Sequence, residues 1–103
     1  KGKTNINLMI NLGEKIELEG FKEIEHSELI ILKKLIGNFA NKFGDFEELK
    51  LHLKDVHKTE ASVKFEVTGK LKKENKEYNA EVTNYNLFFA VNEVLDRLKK
   101  ELK

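Results

Sequence analysis

Lysine is the residue type whose spacing in this chain best suggests a chemical role. Four lysines lie close together in the last third of the sequence: Lys70, Lys72, Lys73 and Lys76. Glu74 and Glu77 offset their charge only in part. Ammonium groups clustered on a rigid scaffold bind phosphate-rich partners. The pattern of short apolar runs around this cluster predicts that it forms the tip of a β-hairpin.

Further lysines extend the candidate set. Lys50, Lys54 and Lys64 alternate with apolar residues and are predicted to share one exposed sheet face, while Lys33 and Lys34 fall on the exposed side of a helix. The alternative is that these charges only keep edges and loops soluble. A role in solubility explains any single lysine, but it explains less well why so many lysines are clustered at the hairpin tip and on one sheet face. The candidate phosphate contacts are therefore Lys50, Lys54, Lys64, Lys70, Lys72 and Lys73, with Lys33 and Lys34 as weaker members.

Metal binding and catalysis are not expected. His52 and His57 lie on either side of Asp55 in the sequence, and these three residue types can all bind a metal ion. However, strand alternation puts His52 on the exposed face and His57 in the following turn, so the two are not held together. Carboxylates are dispersed among lysines, and no triad order, nucleophile elbow, P-loop or dinucleotide fingerprint occurs. We expect surface histidines, no cofactor, no catalytic residues and no small-molecule substrate.

Composition limits the class of protein. The 103 residues, 40% of them apolar and 36% charged, suit one domain with a modest core, spanning residues 1–103. The net charge of +1 argues against binding through bulk charge, so any such binding requires local clustering. Cysteine is absent and no apolar run approaches the ~18 residues of a membrane span. We expect a soluble cytoplasmic protein without a membrane partner.

The N-terminal region has two alternating apolar stretches separated by Gly13. The first runs through Ile10 and Leu12, and the second through Ile16 and Leu18 before Gly20. Period-two alternation predicts strands. The Ile16 region is favoured as an edge strand, and a hairpin that uses both stretches is left open. Residues 1–13 are thus an N-terminal extension or an extra strand, and whether residues before Met9 are native is open because the chain starts with Lys1.

A helix is predicted to follow, with Ser27 as its N-cap and Gly44 as its stop. Apolar residues recur at three- and four-residue steps along it: Leu29, Leu32, Ile36, Phe39, Ala40 and Phe43. Ile30 and Ile31 lie off this face, so we expect another segment, such as the N-terminal strand, to cover them.

Three alternating strands and a closing helix complete the chain. The strands centre on Leu49–Leu53, Ala61–Val67 and Tyr78–Val82, and the helix carries a stripe of Leu87, Val91, Val94, Leu95, Leu98 and Leu102. Both helices are predicted to cover the same face of the sheet. The fold class is α+β, a two-layer β-α-β-β-β-α sandwich with a mainly antiparallel sheet. Phe89 lies opposite the stripe, and we expect it to pack under a neighbouring loop or strand rather than contact a partner.

The chain resembles the ribosome hibernation promoting factors, a family that includes the ribosome-associated inhibitor type. The resemblance rests on the element order and on Leu87-Phe88, Ala90-Val91 and Val94-Leu95-Asp96-Arg97-Leu98. Asn86 and Asn92 stand where that family commonly has Asp, and the hairpin from Gly69 to Glu77 looks longer. The element order also resembles a double-stranded RNA-binding domain, but that module's Gly-Pro-X-His loop and its lysine cluster at the last helix are absent.

The resemblance implies a short-form factor that binds ribosomal RNA in the small-subunit groove for messenger and transfer RNA and so blocks translation. It also implies that the basic residues of the sheet and helices contact RNA. The alternative is a protein-interaction or homodimerising module that does not bind nucleic acid and whose lysines serve only to keep its surface soluble. The sequence leaves the oligomeric state and the RNA target open.

Overall fold

The computed structural model describes residues 9–12, 15–21, 24–56 and 63–102. Within these ranges the chain forms five strands and two helices. The strands are β1 (Met9–Leu12), β2 (Ile16–Glu19), β3 (Glu48–Val56), β4 (Lys64–Lys73) and β5 (Lys76–Asn84), and the helices are α1 (His26–Ala40) and α2 (Leu87–Glu101). A short 3-10 turn, Asn41–Phe43, extends α1. None of the helices in the described ranges has the length and apolar content needed to cross a membrane.

The strands form a single mixed sheet in the order β1-β2-β3-β4-β5. β2 and β3 are parallel and are connected through α1, whereas the other neighbouring pairs are antiparallel. The predicted α+β sandwich, with β2-α1-β3-β4-β5-α2 as its main order, is confirmed. The open alternative of an N-terminal hairpin is also found, because β1 pairs with β2. β2 therefore lies inside the sheet, and its favoured assignment as the edge strand is wrong.

Strand alternation determines which face of the sheet is buried. Leu49, Leu51 and Leu53 of β3 are buried, as the sequence predicts, and Val67 and Leu71 continue the same layer on β4. Both helices close over this face and contribute to one apolar core. Neither α1 nor α2 lies over the opposite face, which is called the open face below. It is the face on which the alternating charged residues stand.

Helix α1 begins earlier than its sequence suggests. Glu25 occupies the N-cap position, and its carbonyl oxygen accepts the Leu29 N–H at 2.9 Å, so Ser27 lies inside the first turn. The assignment of Ser27 as N-cap is therefore wrong. The predicted apolar face is confirmed, with Leu32, Ile36, Ala40 and Phe43 buried and Leu29 and Phe39 partly buried. Gly44, at φ 77°, ends the 3-10 turn as expected of a glycine stop.

Helix α2 packs against the sheet through the predicted stripe, to which Ala90 adds. Its N-cap is Asn86, whose Oδ1 accepts the Phe89 N–H at 3.0 Å. Phe89 itself is 54% exposed, so the expectation that it packs under a neighbouring segment is wrong. Ala90 and Val91 occupy the positions that face the core, which turns Phe89 outward. Ile30 and Ile31 are also exposed, at 45% and 54%, because no segment of the described ranges covers them.

Candidate nucleic-acid interface

The open face carries five of the eight candidate lysines. Each lies at an outward position of β3 or β4, on the side of the strand opposite to its buried residues. These five are Lys50, Lys54, Lys64, Lys70 and Lys72. The alternation of the sequence predicts this position for Lys50, Lys54 and Lys64. Lys70 and Lys72, which were predicted at a hairpin tip, join them because β4 continues to Lys73.

The open face is nevertheless mixed in charge. Six carboxylates share it with the lysines: Glu17, Glu19, Glu48, Glu66, Glu77 and Glu81. Lys50 Nζ lies 3.9 Å from Glu17 Oε1, and Lys70 Nζ lies 3.2 Å from Glu77 Oε2. Lys72 stands in register between Glu48 on β3 and Glu77 on β5. The five lysines therefore do not make a uniformly basic surface.

Two of these carboxylates lie next to each other near the middle of β4 and β5. Glu66 pairs with Thr83 and Thr68 pairs with Glu81, so Glu66 and Glu81 are diagonal neighbours. A hydrogen bond with Glu66, and then the negative charge of Glu66, raise the pKa of Glu81 above its ordinary value. The Lys54 ammonium acts in the opposite direction. The positive charge of Lys54 is therefore partly offset by these two carboxyl groups.

The open face ends in an exposed aromatic residue beside Lys64. Lys64 stands opposite Val56 on β3, and its Nζ lies 5.3 Å from the centroid of the Tyr85 ring. Tyr85 is 61% exposed and directly precedes the N-cap of α2. The sequence analysis did not include Tyr85 among the candidate residues, because the candidates were chosen by positive charge. The sequence feature that could have indicated Tyr85 is an aromatic residue between the end of a predicted strand and the start of a predicted helix.

The predicted lysine-rich hairpin tip is wrong as a single cluster. The β4–β5 ladder continues to the pair Lys73 and Lys76, and only Glu74 and Asn75 form the turn, at φ 53° and 66°. The Glu47 carboxylate accepts both turn amides, from Glu74 N at 3.3 Å and Asn75 N at 3.5 Å. The hairpin is therefore tight rather than long. Its lysines are distributed along paired strands, where successive side chains point to opposite faces.

Lys73 points away from Lys70 and Lys72, toward the helical layer. Its Nζ donates a hydrogen bond of 2.7 Å to the carbonyl oxygen of Phe43, at the end of the 3-10 turn. Carbonyls at a helix end lack intrahelical partners, and a lysine there also interacts favourably with the helix dipole. This contact gives Lys73 a structural role, which competes with its predicted role as a phosphate contact.

We expect the change Lys73→Met to lower the free energy of unfolding by about 1–2 kcal/mol, because the Phe43 carbonyl loses a charged donor. Urea denaturation followed by circular dichroism measures this change. Lys76→Met is the matched control, since Lys76 is the exposed partner of Lys73 across the same turn. It should change the free energy by no more than about 0.5 kcal/mol. Equal losses in the two variants would contradict a capping role for Lys73.

Lys33 and Lys34 lie on α1, in the helical layer, with Lys33 half-buried and Lys34 exposed. The sheet separates this layer from the open face. The structure therefore does not bring these two lysines together with the five on the sheet. They remain a separate and smaller basic group.

The remaining predicted groups do not converge on a reactive centre. His52 is exposed on the open face, as predicted, whereas His57 lies outside the described residues. Among the residues that are described, no three His, Cys, Asp or Glu side chains are grouped for a metal ion. A cavity of about 570 Å³ at the C-terminal end of α1 is lined largely by small and apolar residues. Lys15 is the titratable residue in its lining, and its ammonium lies 5.1 Å from the centroid of the Phe46 ring.

Comparison with known proteins bears on the fold. No family model matches the sequence, and no curated protein matches it. Among solved structures, the chain is similar to the crystal structure of the Thermus thermophilus Protein Y N-terminal domain. The match has a TM-score of 0.52 at 17% sequence identity, and it covers 91% of this chain and 97% of that domain. At this identity the similarity establishes a shared two-layer α+β fold.

Proposed function

We propose that this protein binds the small ribosomal subunit and blocks translation by occupying the groove used by messenger and transfer RNA. Its partner would be ribosomal RNA, and the mechanism would be occlusion rather than catalysis. The observation that carries the proposal is the fold shared with the Protein Y N-terminal domain over nearly the whole of both chains. The resemblance of the closing helix to the ribosome hibernation promoting factors also supports it.

The contacts to RNA would come from the lysines of the open face: Lys50, Lys54, Lys64, Lys70 and Lys72. Lys33 and Lys34 would add contacts only if RNA also reached the helical layer. Lys73 is not in this set, because its ammonium is held by the Phe43 carbonyl. Ammonium groups at fixed positions on a sheet can match phosphates of a folded RNA, whose recognition depends largely on shape and backbone contacts.

The carboxylates of the open face would contribute selectivity. Glu17, Glu66 and Glu81 repel phosphates, so an RNA backbone gains energy only where it meets lysines and avoids these positions. Such a surface binds a matching RNA shape better than an arbitrary one. The net charge of +1 agrees with this, because it provides little attraction for RNA in general.

The salt dependence of binding tests the proposal. Purified protein should co-sediment with small ribosomal subunits at low salt. If all five lysines of the open face meet phosphates, raising the salt from about 50 to about 200 mM should weaken binding roughly 100- to 500-fold. Anisotropy of a labelled protein, titrated with subunits at several salt concentrations, measures the slope.

Two results would overturn the proposal. One is the absence of co-sedimentation at low salt, and the other is binding that does not change with salt. Large subunits provide the control for general attraction to RNA, and they should bind at least about tenfold more weakly if the match is specific.

A protein-interaction module is the second candidate, favoured by the exposed Ile30 and Ile31 on α1. Exposed large apolar residues that lie together often mark an interface with another protein. In that case changes to the open-face lysines would leave binding intact, while Ile30→Ser with Ile31→Ser would abolish it. The same variants should leave subunit binding through the open face unchanged.

A further inference from the structure

The end of the open face holds one exposed aromatic side chain, that of Tyr85. Tyr85 is 61% exposed, and Phe89, four residues further along in the first turn of α2, is 54% exposed. Neither ring belongs to the apolar core. Large aromatic residues of a small domain are usually at least half-buried, and exposed ones often indicate a site.

The backbone on both sides of Tyr85 is held in place by two asparagines. Asn84 Oδ1 accepts the Asn86 N–H at 2.8 Å, and Asn86 Oδ1 accepts the Phe89 N–H at 3.0 Å. These bonds join the end of β5 to the start of α2. Tyr85 therefore projects from a junction between a strand and a helix that hydrogen bonds hold on both sides, so that little backbone ordering is needed when a partner binds.

A positive charge accompanies the aromatic ring. The Lys64 ammonium lies 5.3 Å from the Tyr85 ring centroid, and Lys54 stands on the same face of the neighbouring strand. A lysine beside an exposed aromatic is the combination by which proteins bind single-stranded nucleic acids. The ring stacks on a base, and the ammonium contacts the neighbouring phosphate.

A small cavity opens on another side of Tyr85. Its volume is about 210 Å³, and it is lined by Glu28, Phe65, Tyr85, Asn86, Leu87 and Phe88. Phe65 and Phe88 are partly buried, so they provide a second aromatic wall that does not move freely. This volume lies below the usual range for drug-sized ligands, and it suits one flat ring.

We infer that Tyr85 stacks on an unpaired RNA base, while Lys64 contacts the phosphate next to that base. The inference rests on the proposed function and names the form of RNA involved. Bases within a duplex are already stacked on one another and are not available to a protein ring. The contact therefore requires a single-stranded or looped segment.

Tyrosine fluorescence provides the direct test. The chain has two tyrosines and no tryptophan, so Tyr78→Phe leaves Tyr85 as its single tyrosine. Titration of this variant with a short single-stranded oligouridylate, at about 50 mM salt, should quench the emission in a saturable way. The quenching should follow the binding curve obtained from the anisotropy of labelled RNA. A duplex of the same length should bind more weakly and leave the emission unchanged.

Substitution tests the energetic contribution. Tyr85→Leu should weaken binding of the oligouridylate roughly 5- to 150-fold, the range expected when one stacked base is lost. Ile31→Ala is the matched control, because Ile31 is a large apolar residue of similar exposure, 54% against 61% for Tyr85, but it cannot stack on a base. Its affinity should equal that of the unchanged protein.

The outcomes separate this inference from the proposed function. If the protein binds RNA or small subunits, but Tyr85→Leu binds equally well and the Tyr85 emission is unaffected, the stacking inference is overturned and the proposed function stands. Equal affinity for duplex and single-stranded RNA also overturns the stacking inference alone. If neither RNA form nor the small subunit binds, both are overturned.

Discussion

Gly69→Ala should lower the free energy of unfolding by about 1–3 kcal/mol, and Gly69→Val by more, because α2 lies directly over this position of β4. A Cβ at Gly69 would stand 2.5 Å from Val94 Cγ1, 3.1 Å from Leu98 Cδ1 and 3.2 Å from Leu51 Cδ2. All three of these residues are fully buried, so they have little room to move. Urea denaturation followed by circular dichroism measures the loss.

Two further variants make this prediction specific. Gly37, within α1, has nothing within 4 Å of the position that a Cβ would take. Gly37→Ala should therefore raise the free energy of unfolding by about 0.5–1 kcal/mol, through helix propensity alone. Val94→Ala removes the atom nearest to the new Cβ, so the double variant with Gly69→Ala should lose less than the sum of the two single losses. Additive losses, or a neutral Gly69→Ala, would mean that α2 lies further from the sheet.

Reversing the charge of Lys54 and Lys64 together should weaken binding to the small subunit by at least about tenfold and reduce the salt slope by about two. Both stand on the open face, and Lys54 also reduces the repulsion between Glu66 and Glu81. The double variant Lys54→Glu with Lys64→Glu thus removes two phosphate contacts and adds negative charge beside an existing carboxyl pair. Co-sedimentation across a range of salt concentrations measures both changes.

The matched control changes the net charge equally at another place. Lys99 and Lys100 are exposed in the last turn of α2, in the helical layer. Lys99→Glu with Lys100→Glu should leave the salt slope unchanged if the open face is the interface. Equal weakening by the two double variants would show attraction through net charge alone, and it would argue against a defined RNA site.

Most of the fold could be predicted because its signals are local. The period of two in β3, with Leu49, Leu51 and Leu53 inward, and the stripe of α2 each arise within one segment. The N-cap of α1 was harder to locate, because Glu25 caps through backbone geometry with no side-chain hydrogen bond, whereas Ser27 has the commoner cap side chain. The exposure of Phe89 could not be predicted either, since it depends on whether another segment packs on the side of α2 that faces away from the sheet.

The candidate site, like the fold, could be predicted from the sequence only in part. The outward direction of Lys50 and Lys54 could be predicted, but the carboxylates beside them could not. Glu17 reaches Lys50 only because β2 pairs in parallel with β3, across the whole of α1. Tyr85 meets Lys64 through the β4–β5 pairing. Charge balance on a sheet depends on which strands are neighbours, and no single segment contains that information.

The sequence by itself therefore determined the α+β class, the inward and outward faces of the strands and the apolar faces of both helices. These features follow from the regular repeat of side-chain direction along a strand or a helix, together with the free energy gained when apolar side chains leave water. Only the tertiary structure decided what each lysine meets. It holds Lys73 on the Phe43 carbonyl, 30 positions earlier in the chain, sets Lys70 against Glu77, and puts Lys64 beside an exposed tyrosine. Strand register and helix placement arise from the packing of the whole chain, and they turn a run of lysines into contacts with different roles.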